Sequence, residues 1–193
     1  PVQKYLKTQD VLALGPGLSM NVQTRALIRR IVLRYHKPMV IDADGLNAFQ
    51  GKAELFRKLK APAILTPHTG ELVRLFGPPT PKAEAERKKR ALMVAKKYGV
   101  VIVLKGHRTV VASPRGEVYI NQTGNPGMAT GGSGDVLTGI IAAMLGQKAE
   151  PFQAACFGVF IHGLAGDFAR KEKGEISLVS GDILNALPLA FQK

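Results

Sequence analysis

Asn125-Pro126-Gly127-Met128-Ala129-Thr130-Gly131-Gly132-Ser133-Gly134-Asp135 is followed at once by Val136-Leu137-Thr138-Gly139-Ile140-Ile141-Ala142-Ala143-Met144-Leu145-Gly146. The second stretch is apolar on nearly every side, which predicts a buried helix with Gly146 as its C-terminal stop. The small residues Thr130 to Gly134 then form the helix N-terminus, where backbone N–H groups stand clear of side chains. The N–H groups of Gly132, Ser133 and Gly134, together with the helix dipole, make a site for an anion such as phosphate. A carboxylate beside bound phosphate is repelled, so Asp135 points to chemistry: a base that takes a proton from a hydroxyl as phosphate is transferred to it. The competing reading is that Asp135 only caps the helix, since acids are favoured in a first turn.

Three familiar signatures are absent. No Gly-Lys-Ser/Thr ending marks the common phosphate loop, and Gly15-Pro16-Gly17-Leu18-Ser19-Met20 lacks the last glycine of a dinucleotide fingerprint. Gly131-Gly132-Ser133-Gly134-Asp135 places Asp where a nucleophile elbow needs Gly. At 193 residues one domain with a sizeable core is expected. The start, Pro1-Val2-Gln3-Lys4, shows no signal or transit pattern and no initiator Met. No uninterrupted apolar run reaches the ~20 residues of a membrane helix. Cys156 is the single cysteine, which excludes a disulfide framework, reads as a small buried hydrophobe and suggests a cytoplasmic setting.

The formal net charge is +13, which fits nucleic acid or an anionic small molecule. Arg25, Arg29, Arg30 and Arg34 on one predicted helix and Arg87-Lys88-Lys89-Arg90 on another read as solvated helix faces. With no Trp and little aromatic interleaving, a stacking platform for single strands is not supported.

Short apolar runs predict strands at Val11–Leu14, Met39–Ile41, Ala63–Leu65 and Val100–Leu104. A hairpin follows, Val110–Ala112 and Val118–Ile120 around Ser113-Pro114-Arg115-Gly116. Helices are expected from the Asn21 cap to about Tyr35, over Ala53–Leu59, from near His68, from Thr80-Pro81 to Tyr98 with Gly99 as the stop, from Pro151 to about Phe168, and over Ser180–Leu187. This alternation argues an α/β fold, a mostly parallel sheet with helices on both faces. Gly17, His68, Lys105 and Asp135 all fall in loops after strands and converge on one edge of such a sheet. Asp42 and Asp44 stand at a strand's C-terminal end and serve equally well as ligand contacts or as turn and cap residues. Lys105 and Arg108 suit a phosphate or nucleotide. His162 reads as a satisfied core histidine.

Taken together, the long Asn125–Asp135 signature resembles that of ADP- or ATP-dependent NAD(P)H-hydrate dehydratases of the ribokinase-like superfamily. Gly15-Pro16-Gly17, Asp42-Ala43-Asp44-Gly45-Leu46-Asn47, Thr66-Pro67-His68-Thr69-Gly70-Glu71 and Lys105-Gly106-His107-Arg108-Thr109 occur in the family's order. The resemblance implies a ribokinase-like fold, a substrate of NADH or NADPH hydrated on the nicotinamide ring, and ADP or ATP with Mg²⁺ as phosphoryl donor. It implies that Asp135 is the catalytic base, that Gly17, Asn47, His68 and Asp135 contact the hydrate, and that Lys105, Gly106, His107, Arg108, Thr109 and Gly134 contact the adenine nucleotide. No dedicated metal cluster is expected. The family domain opens with a further strand and glycine-rich segment ahead of the Gly15 turn, so N-terminal strand or strands are expected to be missing. An upstream epimerase domain and a homo-oligomer, a tetramer in many members, are further expectations. The rivals are a ribokinase-like kinase of a vitamin-precursor alcohol and a non-catalytic nucleotide- or nucleic-acid-binding module.

Overall fold

A computed structural model describes Tyr5, Leu6 and residues 8–193. The sequence start read above, Pro1 to Lys4, lies outside the described residues. Among the described residues, six strands form one sheet in chain order: β1 (Leu12–Leu14), β2 (Met39–Ile41), β3 (Ala63–Leu65), β4 (Val101–Leu104), β5 (Val110–Ala112) and β6 (Val118–Ile120). The first four run parallel, and β4, β5 and β6 pair antiparallel. The sheet is thus mostly parallel, as the alternation of elements predicts.

Because the strands never reverse order, right-handed crossovers must place every connecting helix on the same face. Those helices are α1 (Val22–Arg34), α2 (Ala43–Asn47), a 3₁₀ turn at Ala53–Lys58, α3 (Thr69–Phe76) and α4 (Glu84–Tyr98). Their Val32, Leu46, Phe56, Leu72 and Ala95 share one core with Met39, Ile41, Leu65, Ile102 and Leu104 of the sheet. The two-residue period of a strand sends Val40, Ile64, Val101, Val103 and Val111 to the opposite face. There α5 (Ser133–Gly146) and α6 (Pro151–Lys173) cover them with Leu137, Ile141, Ala155 and Val159. Two short helices, α7 (Ser180–Asn185) and α8 (Leu187–Ala190), pack beyond through Ile183 and Ala190.

Helix α6 is long and apolar enough to cross a membrane, yet half of that apolar window is buried within the fold, the pattern of a core helix. Gly158 lets it lie on α5, since a Cβ there would meet Ile141 Cγ1 at 2.6 Å. Cys156 is half-buried in this layer, and burial pushes its thiol up to about 12, which makes it inert.

Several boundaries differ from the sequence expectation. Helix α4 starts at Glu84 rather than Thr80, because Glu86 reaches back to accept the N–H groups of Lys82 (2.8 Å) and Ala83 (3.4 Å) and fixes the first turn there. Residues 53–58 form a 3₁₀ turn, and the last predicted helix is split at Ala186. Gly146 stays helical; the left-handed residue that follows is Lys148, with φ 68°.

The basic run on α4 is also not a wholly solvated face. Arg90 is buried, donating through Nη2 to the carbonyls of Phe76 (2.9 Å) and Gly77 (2.6 Å). Arg87 donates to the carbonyls of Leu104 (3.0 Å), Lys105 (3.3 Å) and His107. Desolvation pulls both guanidinium pKa values below their usual position, and neighbouring carbonyls compensate the buried charge.

Candidate nucleotide and substrate site

The site forms where the C-terminal ends of β2, β3 and β4 meet the N-terminus of α5. Pro67 carries no N–H and ends regular strand pairing, but its carbonyl still accepts the Lys105 N–H at 2.9 Å. A parallel bridge of His68 to Lys105 extends the pair by one step, so these two residues, distant in sequence, stand side by side. His68 is the N-cap of α3: its Nδ1 accepts from the N–H groups of Gly70 (3.0 Å) and Glu71 (3.3 Å), while Glu71 Oε2 accepts the His68 N–H at 2.8 Å. With Nδ1 an acceptor, the ring proton belongs on Nε2.

The Lys105–Thr109 loop is shaped by backbone that favours glycine, φ 141° at Gly106 and φ 53° at Arg108. Thr109 Oγ1 donates to the Gly106 carbonyl at 2.9 Å, and Arg87 braces the loop from behind. Arg108 Nε pairs with Glu84 Oε2 at 2.6 Å at the surface.

Sequence reading leaves Asp42 and Asp44 equivalent; the structure separates them. Asp44 lies in the first turn of α2, and its Oδ2 accepts the Ser19 N–H at 2.9 Å. Asp42 is 1% exposed and makes no capping bond to its own helix. Its Oδ1 accepts from Lys105 Nζ at 2.7 Å and its Oδ2 from Thr138 Oγ1 at 3.1 Å. Gly15, at φ 144°, presses on the Asp42 main chain; a Cβ there would lie 1.8 Å from the Asp42 carbonyl oxygen. The close approach that Gly15 allows is therefore to Asp42.

At the start of α5, Gly132 takes φ 84°. The Ser133 N–H turns back to the Thr130 carbonyl at 3.3 Å and the Asp135 N–H to Gly132 at 3.0 Å. Among the described residues, the N–H groups of Gly132 and Gly134 have no protein acceptor. Of the three donors expected for an anion, Ser133 is thus partly engaged. A Cβ on Gly134 would sit 3.3 Å from Lys105 Nζ, which places the ammonium against the helix's first turn. Ser133 Oγ lies 3.3 Å from Nε2 of His162, which is 9% exposed. Burial pulls the His162 pKa down to about 4; a hydrogen bond with Ser133 opposes the shift, and the Lys105 charge adds a lesser push in the same direction as burial.

A cleft of about 680 Å³ opens over these groups. His68, all of Lys105 to Thr109, Ser133 and Gly134 line it. Gly17, Asn47, Gly132 and Asp135 do not line it. Gly17 and Asp135 are both exposed, and Asn47 is engaged by Arg74 Nη1 at 2.8 Å. The far wall is Asn121 to Met128, which sequence reasoning did not assign beyond its start of the signature. Asp167 of α6 holds it, accepting the Gly124 N–H at 2.9 Å and Asn125 Nδ2 at 3.0 Å. Thr123 Oγ1 donates to the Phe160 carbonyl at 2.9 Å and Asn121 Nδ2 to that of Val159 at 3.2 Å. One signal was available for Asp167: an acid within an apolar helix needs a buried partner. The whole arrangement, one inward lysine, unpaired N–H groups at a helix start and an apolar recess behind them, suits a phosphorylated ligand with a planar base.

A family profile described as NAD(P)H-hydrate dehydratase matches residues 2–189. A bifunctional NAD(P)H-hydrate repair enzyme of Moorella thermoacetica is 46% identical over the whole chain, which spans 36% of that protein's length. An ADP-dependent (S)-NAD(P)H-hydrate dehydratase of Neisseria meningitidis is 41% identical over 93% of this chain and 63% of its own. Among solved structures, an ADP/ATP-dependent NAD(P)H-hydrate dehydratase of Bacillus subtilis, crystallised with ATP and Mg²⁺, superposes with a TM-score of 0.82 at 33% identity, covering 95% of this chain and 64% of that one.

Proposed function

The chain belongs to the NAD(P)H-hydrate dehydratase family, and from that premise we propose that it uses ADP or ATP to return hydrated NADH or NADPH to the reduced cofactor. The observation that carries this reading is the cleft that gathers Lys105 to Thr109 and Gly134 at the N-terminus of α5, with Asp135 in the first turn of the same helix.

In this reading the phosphates lie against the Gly134 N–H and Lys105, and the nucleoside fills the recess toward Thr123 and Val159. The hydrate carries its hydroxyl on the carbon beside the ring nitrogen, and hydroxide is a poor leaving group. Asp135 takes the hydroxyl proton as that oxygen attacks the terminal phosphorus, and the bond from phosphorus to the nucleotide's bridging oxygen breaks. The donors at the helix start stabilise the charge on the moving phosphoryl group. Phosphate then leaves with the electron pair of the C–O bond, pushed by the nitrogen lone pair. Loss of a proton from the adjacent ring carbon restores the dihydronicotinamide. The Asp135 side chain is exposed and its carboxylate has no hydrogen bond among the described residues, which leaves its oxygens available for this step. His68, after β3, Gly17, after β1, and Asn47, the last residue of α2, would contact the hydrate. Among the described residues no group of three His, Cys, Asp or Glu side chains is placed to hold a metal, so Mg²⁺ would take most of its ligands from phosphate and water. The extra length of the bifunctional relative supports an epimerase fused upstream, and assembly into a homo-oligomer completes the proposal.

The test is to incubate the protein with hydrated NADH, ADP and Mg²⁺ and follow the return of reduced-nicotinamide absorbance. Asp135→Asn should retain ADP binding and lose turnover by ~10²–10⁴; near-normal turnover would overturn the assignment. A stable phosphorylated alcohol without absorbance recovery would favour a kinase. Steeply salt-dependent nucleic-acid binding without nucleotide turnover would favour a binding module.

A further inference from the structure

Asp42 is the most deeply buried acid whose bonds are described, and its carboxylate has been diverted from the local use open to it. It stands in the N-cap position of α2 yet makes no capping bond. Instead one oxygen crosses the sheet edge to Lys105 Nζ, 2.7 Å away, and the other meets Thr138 Oγ1 of α5 at 3.1 Å. The Lys105 side chain is only 20% exposed. A buried ion pair is a poor stabiliser, because desolvating both charges offsets most of their attraction. What such a pair does supply is direction: the ammonium cannot swing away while both carboxylate oxygens are fixed. Its fixed place is against the first turn of α5, 3.3 Å from where a Cβ of Gly134 would sit; Asp42 Oδ2 is 3.5 Å from the same point. Gly15 and Gly45 let the backbone around the acid pack tightly on the end of β1, since a Cβ on Gly15 would lie 1.8 Å from the Asp42 carbonyl oxygen and one on Gly45 2.8 Å from that of Leu14.

We propose that Asp42 is a positioning residue: through Thr138 it is held in one rotamer, and through that rotamer it aims Lys105 at the phosphates bound at the α5 N-terminus. This rests on the nucleotide-binding part of the reading above. The physical consequence is unusual in sign. Asp42 is itself negative, so its charge alone repels phosphate, and neutralising it should tighten nucleotide binding. Aiming the lysine works the other way. The net effect depends on whether the lysine is there to be aimed.

The experiment measures ADP affinity by calorimetry for the wild type, Asp42→Asn, Lys105→Met and the double variant, with folding checked by circular dichroism. In the wild-type background Asp42→Asn should weaken ADP binding about tenfold, the worth of one charge-assisted hydrogen bond. In the Lys105→Met background the same change should tighten it, because only the repulsion is left to remove. Tightening in both backgrounds makes Asp42 a mere charge, and weakening in both makes it a structural acid; either result overturns the proposal. Thr138→Val keeps the charge and frees the rotamer. It should weaken ADP binding by roughly two- to fivefold, part of the same hydrogen-bond contribution, and an unchanged affinity would overturn the proposal even if the Asp42 variants fail to fold. Failure of the wild type to bind ADP at all would instead sink the functional reading on which this stands.

Discussion

His162 is neutral in the fold because burial outweighs the one hydrogen bond, with Ser133, that favours its charge. Its ring is buried beside Ser133, and the ammonium of Lys105 adds repulsion, so its pKa falls from 6.5 to about 4. In the unfolded chain it would take a proton near its ordinary value. Between those two values the unfolded state binds more protons than the folded one, so stability is full above pH 6.5 and falls as the pH drops toward about 4. The shift corresponds to roughly 3 kcal/mol lost across that window. Denaturant unfolding at a series of pH values should show the wild type losing stability there while His162→Gln loses less; parallel curves would exclude the histidine as the cause. At this scale the sequence was informative where one residue type carries the meaning alone. Glycines before an acid at Gly132 to Asp135, and a lysine and glycine after a strand at Lys105-Gly106, needed no partner to be recognised. Asp42 was visible as an acid at a strand end, but its lysine lies 63 residues away and its threonine 96. Only the folded chain brings those three together. That Asp167 and Asn125, 42 residues apart, meet was illegible for the same reason.

At the scale of elements, glycines within α5 and α6 divide into those that make contacts possible and those that do not. A Cβ on Gly163 of α6 would strike Thr123 Oγ1 at 2.2 Å, against the far wall of the cleft. Gly139 of α5 has open space around it. Gly163→Ala should therefore cost about 1–3 kcal/mol through overpacking. Gly139→Ala should add about 0.4–1 kcal/mol by stiffening the unfolded chain in a position already helical. Thermal melts of both variants check the pair, and a stabilised Gly163→Ala would mean the Thr123 wall yields freely. The kind and order of the elements were readable from apolar runs punctuated by Gly and Pro. The ends were less so. Thr80-Pro81 looks like a helix start, but the carboxylate of Glu86 set the start at Glu84. The basic face of α4 looked solvated because periodicity reports where a residue stands, not what its guanidinium reaches. Arg87 and Arg90 reach carbonyls.

Over the whole molecule, a formal charge of +13 means that compaction works against self-repulsion. Raising the salt from low ionic strength to ~0.15 M shortens the screening length to about 8 Å, so the melting temperature should rise over that range. A fall would show instead that exposed pairs such as Lys97–Glu54 and Arg108–Glu84 matter more than the net charge. The parallel sheet was legible from the alternation of strands and helices; the segregation of its helices was not, because it follows from a strand order that no local pattern encodes. That segregation has a consequence for how the protein is made. The crossover helices are interleaved with the strands, so one side of the sheet is clothed as translation proceeds. The other side, Val40, Ile64, Val101, Val103 and Val111, waits for α5 and α6, which the ribosome delivers after all six strands. A nascent chain paused ahead of Ser133 would present that bare aliphatic surface to whatever chaperone or neighbour met it first, and the same late segment that shields it brings the phosphate-facing helix.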